Sequence, residues 1–343
     1  MAPWLPRMHV FEFHDMPWFH PWFRAKVQAA LTETWKMQLP LVQRLGSPAS
    51  IVAKILADEL GEHVSDYVFV DYCAGGGGPT PFIERYLNSP SNKQDGHGEA
   101  DAAATTTTTT NGHTAGANGI VTRSKRKTNG EGDGGLQRKP VHFVLTDLHP
   151  HIPNWSLAAA DSPQIHYAPR SIDASASPPD LLSTVEPPLP PSSSPAKTFR
   201  TFNLAFHHLP TPLASSVLAD TLSTSSGFAI FELQDRHLKS FLAVCLLGLG
   251  VLAFAPYFAW RWRSPGTLFW CWVVPVLPFV LVWDGWMSSV RTRTVEEITE
   301  MMASCGAESE LVKKWEVRSG RLTHLPPFAE VNWIVATKLE NTS

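Results

Sequence analysis

The sequence predicts an α/β fold: a doubly wound, mostly parallel sheet with an antiparallel edge strand, interrupted by an inserted hydrophobic helical hairpin. Three observations predict it. From residue 67 onward, short β-rich apolar runs alternate with stretches of helical spacing, and such alternation builds a parallel sheet covered on both faces. Near the end, two β-rich runs follow one another without a helix between them, which requires an antiparallel edge. Between them and the rest lie two long apolar segments that the sheet pattern does not use.

The elements follow in order. Residues 1–60 read as an N-terminal helical cap. YVFVDY (67–72) is the first strand and runs into a glycine loop; PFIERYL (81–87) is a helix. VHFVLTD (141–147) and IPNWSLAAA (152–160) repeat that pair. QIHYA (164–168), RTFNLAFH (200–207) and GFAIFEL (227–233) are further strands. Leu213, Val217, Leu218 and Leu222 fall at helical spacing. TVEEITEMMASCG (294–306) opens on Thr294 with Glu297 three residues on, the pattern of a capping box, and stops at glycine. LVKKWEVRS and EVNWIVATKL supply the closing strands. The core therefore runs over 61–236 and 288–343.

Two stretches of that core read as disordered inserts. Residues 88–139 are rich in Gly, Asn, Thr and Asp, and 176–197 are rich in Pro and Ser. Such compositions bury too little surface to offset their ordering entropy. The basic run Arg123, Lys125, Arg126 and Lys127 is a solvated part of the first insert.

The insertion 237–287 is different. Residues 240–260 hold 21 positions without a charge and 264–283 hold another 20, separated by Arg261, Trp262 and Arg263. A helix needs about 20 apolar residues to cross the hydrocarbon core of a bilayer. The first segment meets this; the second is interrupted by Pro275 and Pro278. The pair reads as a membrane hairpin, with crossing and dipping both open. A buried hairpin of a soluble domain is the alternative.

Composition narrows the function. With 343 residues and a formal net charge of -3, the chain lacks the basic stripe of a nucleic-acid binder. Cys73, Cys245, Cys271 and Cys305 are far apart without a CxxC pair, so neither a cysteine zinc site nor a disulfide framework is expected, and a reducing compartment fits. The opening MAPWLPRMHVFEFHD breaks its apolar residues with Pro, Arg, His, Glu and Asp, unlike a secretory signal. The expected location is an intracellular membrane, with the catalytic domain on the cytosolic side.

The strongest chemical signal is Val68-Phe69-Val70-Asp71-Tyr72-Cys73-Ala74-Gly75-Gly76-Gly77-Gly78-Pro79. A strand ends in an acid, and glycines follow at the sheet edge where ligands of open α/β sheets bind. This resembles the first motif of class I S-adenosylmethionine-dependent methyltransferases, a strand followed by acid-x-Gly-x-Gly-x-Gly. Asp71 matches the acid, Gly75 and Gly77 match the second and third glycines, and Cys73 stands where the first glycine is usual. The resemblance implies a Rossmann-like sheet that binds S-adenosyl-L-methionine along Asp71, Cys73, Ala74, Gly75, Gly76 and Gly77. It puts the ribose acid at Asp147, with Leu148 beside it. Without the first insert, Asp147 follows Asp71 by 24 positions, and a carboxylate can accept two hydrogen bonds from a vicinal diol. The resemblance also implies adenine contacts at Ile172 and Asp173, and a fourth-strand motif from Asn203 to the His207-His208-Leu209 ending.

HDMPWFHPWFR (14–24) and the run from Asp284-Gly285 through Ser288-Ser289 to Arg291-Thr292-Arg293-Thr294 are similar to an uncharacterised, membrane-associated group of methyltransferase-like proteins. In that setting Trp18, Phe19 and Trp22 cap the cleft or pack an N-terminal helix on the core.

These readings imply methyl transfer to a lipophilic small-molecule acceptor at a lipid membrane, without nucleic acid and without a metal. Positioning alone supplies roughly 7–11 kcal/mol to such a displacement. A general base is needed only where the acceptor carries a proton at its nucleophilic atom. His207, His208 and Glu232 are the candidates, and the sequence does not choose among them; the histidines also read as side chains that shape the cleft. Three alternatives stand: an inactive methyltransferase fold acting as a membrane adaptor, an NAD(P)-dependent oxidoreductase, and a small membrane protein whose sheet holds no ligand.

Overall fold

The computed structural model describes residues 3–39, 43–89, 107–109, 139–191 and 197–339. Its sheet is built from β1 (Tyr67–Tyr72), β3 (His142–Thr146), β4 (Ile165–Tyr167), β5 (Lys197–Asn203), β6 (Gly227–Glu232), β7 (Trp315–Leu325) and β8 (Ala329–Lys338). Their spatial order is β7-β8-β6-β5-β1-β3-β4. The five strands from β4 to β6 are parallel, with Val70 opposite both Val144 and Arg200. β8 runs antiparallel to both β6 and β7. Of the two closing strands the sequence places at an antiparallel edge, it is β8 that is reversed, and it lies inside β7. The hairpin folds back so that its later strand lies against β6, and β7 lies beyond it.

A short strand β2 (Thr107–Thr109) pairs antiparallel with the outer side of β7. These three residues belong to the predicted insert 88–139. Residues 90–106 and 110–138 lie outside the described residues.

Helices cover both faces. On one side α2 (Pro48–Leu60), α3 (Thr80–Leu87) and α4 (Ile152–Asp161) pack with Phe69, Phe143 and Val335. On the other, α5 (Thr211–Thr224), α10 (Val295–Ser304) and α11 (Ser309–Val312) pack with Val68, Val70 and Phe228. The capping box at α10 has both of its bonds: Thr294 Oγ1 accepts from Glu297 N at 3.3 Å, and Glu297 Oε2 accepts from Thr294 N at 2.9 Å.

The second predicted insert is largely ordered. Leu181 and Val185 are buried in the α5-side core. Tyr167 and Glu186 exchange backbone hydrogen bonds of 2.7 and 2.8 Å. The Pro/Ser composition masked four apolar side chains that join this core: Leu181 and Val185 within it, and Leu182 and Leu189 packed against it. Residues 192–196 lie outside the described residues.

The predicted cap over 1–60 divides in two. α2 belongs to the main core. α1 (Pro21–Lys36) joins a separate apolar cluster, in which Phe19, Val27 and Ala30 meet Val251, Phe258, Leu277 and Leu281 of the insertion. Phe19 is thus buried against the insertion instead of capping a cleft, Trp22 packs on the same cluster, and Trp18 is exposed.

The insertion leaves after β6 and comprises α6 (Leu238–Ala253), α7 (Ala255–Arg261), α8 (a helical turn at Gly266–Leu268 continued by a wider turn over Phe269–Val273) and α9 (Val276–Arg291). α6 and α9 approach closely: a Cβ added at Gly248 would stand 2.4 Å from Val282, and one at Gly285 would stand 2.7 Å from Val244. Among the described residues no single helix is long and apolar enough to cross a membrane. The predicted 240–260 span is broken between α6 and α7 by a 64° bend, and the second by 71°. Pro256 causes the first bend. It cannot donate to the Leu252 carbonyl, and its ring clashes there. The Trp272 indole N–H takes that freed carbonyl at 2.9 Å. Pro275 and Pro278 act similarly in the second segment.

Candidate functional site

The loop after β1 lies at the point where the chain turns from β3 and β4 on one side of β1 to β5 on the other, the usual ligand position in such sheets. Four of its residues are left-handed: Cys73 (φ 61°), Gly75 (52°), Gly77 (105°) and Gly78 (49°). Glycine accepts these angles freely, whereas Cys73 carries a cost of about 1–2 kcal/mol. Cys73 and Gly76 are exposed and Ala74 is buried. Three bonds fix the loop: Ala74 N–H to the Thr146 carbonyl (3.0 Å), the Trp155 indole N–H to the Gly75 carbonyl (2.8 Å), and Gly75 N–H to Asp147 Oδ2 (2.9 Å).

Asp147, just past β3, also accepts from His149 N–H at 2.8 Å through Oδ1. Each of its oxygens keeps a lone pair for a further donor. Leu148 beside it is 53% exposed, unusual for a leucine at a sheet edge. Ile172 is buried and reaches this corner through its backbone, donating N–H to the Asp147 carbonyl at 2.9 Å. Asp173 holds the Ser175 N–H and hydroxyl at 2.8 and 2.7 Å, which shapes a turn.

Asp71 departs from its expected role as a direct ligand contact. It is 1% exposed. Its carboxyl accepts from the Thr80 hydroxyl and, at 3.1 Å, from the Asn203 amide. It therefore ties β1, the start of α3 and the end of β5 together beneath the glycine loop. Burial pushes its pKa up to about 7 against the opposing pull of those two bonds. Asn203 is turned to the same knot, and its Oδ1 has no hydrogen-bond partner among the described residues.

The catalytic candidates lie further along the same edge, at the ends of β5 and β6. The strand predicted over 200–207 stops at Asn203; Leu204 is left-handed (φ 51°), and Phe206–His208 form a turn. His207 is buried, with Nδ1 2.8 Å from Glu232 Oε2. Burial lowers the His207 pKa to about 3 and raises that of Glu232 to about 8, so the pair is held without net charge at neutral pH. His207 Nε2 has no partner among the described residues. His208, more exposed, stacks beside His207 with ring centroids 4.1 Å apart.

Sequence reasoning missed what surrounds these histidines. Arg291, at the end of α9, donates through Nη1 to Glu12 Oε1 (2.8 Å), Asp15 Oδ2 (2.8 Å) and His208 Nδ1 (3.2 Å). Ser288 Oγ donates to Glu12 Oε1 at 3.0 Å, and Asp284 accepts the backbone N–H groups of Phe13 (2.7 Å) and His14 (3.1 Å). Burial pushes the Glu12 pKa up to about 7 despite His208 and Arg291. The two runs singled out at opposite ends of the chain thus meet as one contact, the N-terminal segment strapped onto α9. The available signal was charge in unexpected places: acids within an aromatic-rich start, and Asp284, Ser288 and Arg291 spaced along one helix face. Thr80 had a weaker signal, as a hydroxyl directly after the glycine loop.

No family model matches the chain, and no curated protein matches it. Among solved structures, one described as a "putative Zn-dependent alcohol dehydrogenase" from Rhodobacter sphaeroides covers 92% of this chain and 98% of its own, at 9% identity and a TM-score of 0.37. A likeness that slight carries no argument about function.

Proposed function

We propose that the chain is an S-adenosylmethionine-dependent methyltransferase that acts on a lipophilic small molecule at a membrane surface. One observation carries this reading: the acid ending β3, Asp147, reaches across to the left-handed glycine loop ending β1 and hydrogen-bonds Gly75 at 2.9 Å. The remaining lone pairs of that carboxylate suit a ribose diol. The exposed Leu148 offers a base an apolar surface, and the glycines let a ligand approach the backbone. The reversed β8 favours this reading over the oxidoreductase, because the dinucleotide-binding order 3-2-1-4-5-6 has no reversed strand.

Chemistry at this edge is displacement. The acceptor heteroatom bonds to the methyl carbon as the carbon–sulfur bond breaks, and S-adenosylhomocysteine leaves. The protein contributes alignment and exclusion of water.

The membrane part rests on the insertion. Leu238, Leu242, Leu246 and Leu249 form an exposed stripe along α6, and Phe254, Tyr257, Trp260, Phe269, Trp272 and Val273 are exposed around the bends. A soluble monomer rarely shows so large an apolar patch. α6 has 16 residues, about 24 Å of helix against a hydrocarbon core of about 30 Å. We read the insertion, bent by 64° and 71°, as dipping into one leaflet, a placement that would bring the sheet edge near the lipid.

The test is calorimetric titration of the full-length, detergent-solubilised protein with S-adenosylmethionine and with NADH, followed by transfer of radiolabelled methyl to a lipid extract. Binding of the methyl donor with label in the organic phase is expected. Binding of NADH displaced by NAD⁺ but not by S-adenosylhomocysteine supports the oxidoreductase instead, and donor binding without transfer supports the adaptor.

A further inference from the structure

We infer that Glu12, His207 and His208 form a binding site for one divalent transition-metal ion, with Glu232 and Ser288 supporting its ligands. One ligand atom of each of the three residues lies within 4.8 Å of the others. Two imidazoles and a carboxylate are a donor set that binds zinc-like ions and leaves a coordination position open. No single segment builds it: the histidines follow β5, and Glu12 arrives on the N-terminal strap.

A second observation points to a ligand independently. His207 Nε2 is buried without a partner among the described residues. Its other nitrogen is 2.8 Å from Glu232 Oε2. With Nδ1–H donated to Glu232, Nε2 presents a lone pair. This is the carboxylate–imidazole–metal relay that orients histidine ligands. Glu12 is arranged in the same way. Its Oε1 accepts from Ser288 (3.0 Å) and Arg291 (2.8 Å), while Oε2 faces His208 Nδ1 at 4.0 Å. Two ligands of a tetrahedral ion with bonds of about 2.0–2.1 Å stand about 3.4 Å apart. The Glu12–His208 pair closes by about 0.6 Å, and no pair in the cluster by more than about 1.4 Å, to reach that spacing.

Arg291 is the rival cation. Its Nη1 already contacts Glu12, Asp15 and His208. It leaves His207 Nε2 unanswered, which a full counter-ion for this cluster would not do. Loading the ion requires His208 Nδ1 to leave both Arg291 (3.2 Å) and Asp15 Oδ2 (3.4 Å), while Glu12 Oε1 and Asp15 keep the guanidinium outside. The ion occupies the His207 lone pair, so His207 becomes a ligand and not a base. An acceptor oxygen at the open position would then be acidified by the ion.

The test uses the full-length solubilised protein, stripped with a chelator. Zn²⁺ is titrated against a chromogenic chelator, and Co²⁺ is followed by visible absorption. One equivalent is expected, with the intense ligand-field bands of a four- or five-coordinate cobalt ion. Glu12→Gln and His207→Gln each weaken binding at least tenfold, and Glu232→Gln, which spares all three ligands, weakens it about 10–100-fold. His63→Ala, at the exposed His63–Asp66 pair, leaves binding unchanged. Less than one equivalent in the wild type, or equal Zn²⁺ affinity in wild type, Glu12→Gln and Glu232→Gln, overturns the inference and makes Arg291 the cluster's only cation. The wild-type cobalt spectrum decides even if a variant fails to fold. Methyl-donor binding is not involved in any arm.

Discussion

Asparagine at position 147 probes the proposed ribose grip. In the folded chain Asp147 uses Oδ2 for Gly75 N–H and Oδ1 for His149 N–H. An amide keeps one acceptor and turns its NH₂ toward one of those two N–H groups. The loop is partly solvated, so the cost to stability is about 1 kcal/mol, a few degrees in Tm. The ligand loses more. A hydrogen bond from a hydroxyl to a carboxylate is worth about 1.5–3 kcal/mol, and losing one weakens Kd roughly 10- to 150-fold. Leu148→Ser is the cleaner partner. With Leu148 53% exposed, the fold loses little, whereas an adenine resting on it loses about 1–2 kcal/mol of apolar contact, or roughly 5- to 30-fold. Calorimetric titration of S-adenosylmethionine into each full-length variant, with thermal unfolding alongside, reads both effects. If both variants bind the donor as the wild type does, the ligand does not lie over this corner and the ribose role of Asp147 is refuted; no donor binding by the wild type refutes the methyl-donor reading.

Three other outcomes follow from the same geometry. Thr80→Val removes the hydroxyl that donates to Asp71 and accepts from Asn203 at 3.2 Å; with the site buried, urea titration should show a loss of about 1–3 kcal/mol, and a loss below measurement error removes Asp71 as the knot under the loop. Asp71, Glu12 and Glu232 hold raised pKa values of about 7, 7 and 8, so the folded chain keeps protons that the unfolded chain has released. Their contribution is present at lower pH and is lost as pH rises through those values, each by up to about 1.4 kcal/mol per pH unit. Between about pH 5 and 7 stability should therefore fall, less steeply in Asp71→Asn; an equal slope in the variant shows that Asp71 ionises freely. Trp260→Ser, at a 75% exposed position, should leave Tm unchanged while lowering vesicle partitioning roughly tenfold or more; unchanged partitioning takes this side chain off the lipid contact.

Much of the sheet was legible because it rests on local pattern. YVFVDY, VHFVLTD and GFAIFEL are apolar enough to be read as strands buried on both faces, and Thr294 with Glu297 marks a helix start through two hydrogen bonds between neighbours. The place of β8 was not legible, since pairing order depends on how a hairpin folds back and not on its own residues. Composition misled at 176–191, where a few leucines and a valine count for more than the prolines around them. The glycine loop was legible through the backbone freedom it needs. The inward turn of Asp71 was not: Thr80 and Asn203, nine and 132 positions away, decide it. The Glu12–Arg291 contact spans 279 positions, and no local pattern encodes a meeting of that range.

For the membrane contact proposed above, the pairing of β6 with β8 has a further consequence. The insertion departs after Glu232, and Asn332, on the strand reached after the return, is the register partner of that same residue. Entry and exit are thereby clamped to one side. In that proposed state the apolar helices return to the side they left, and the short link around Arg261 and Arg263 is the part of the insertion farthest along the chain from both of its ends. Reporter tags at residues 3 and 339 should be labelled from the same aqueous side.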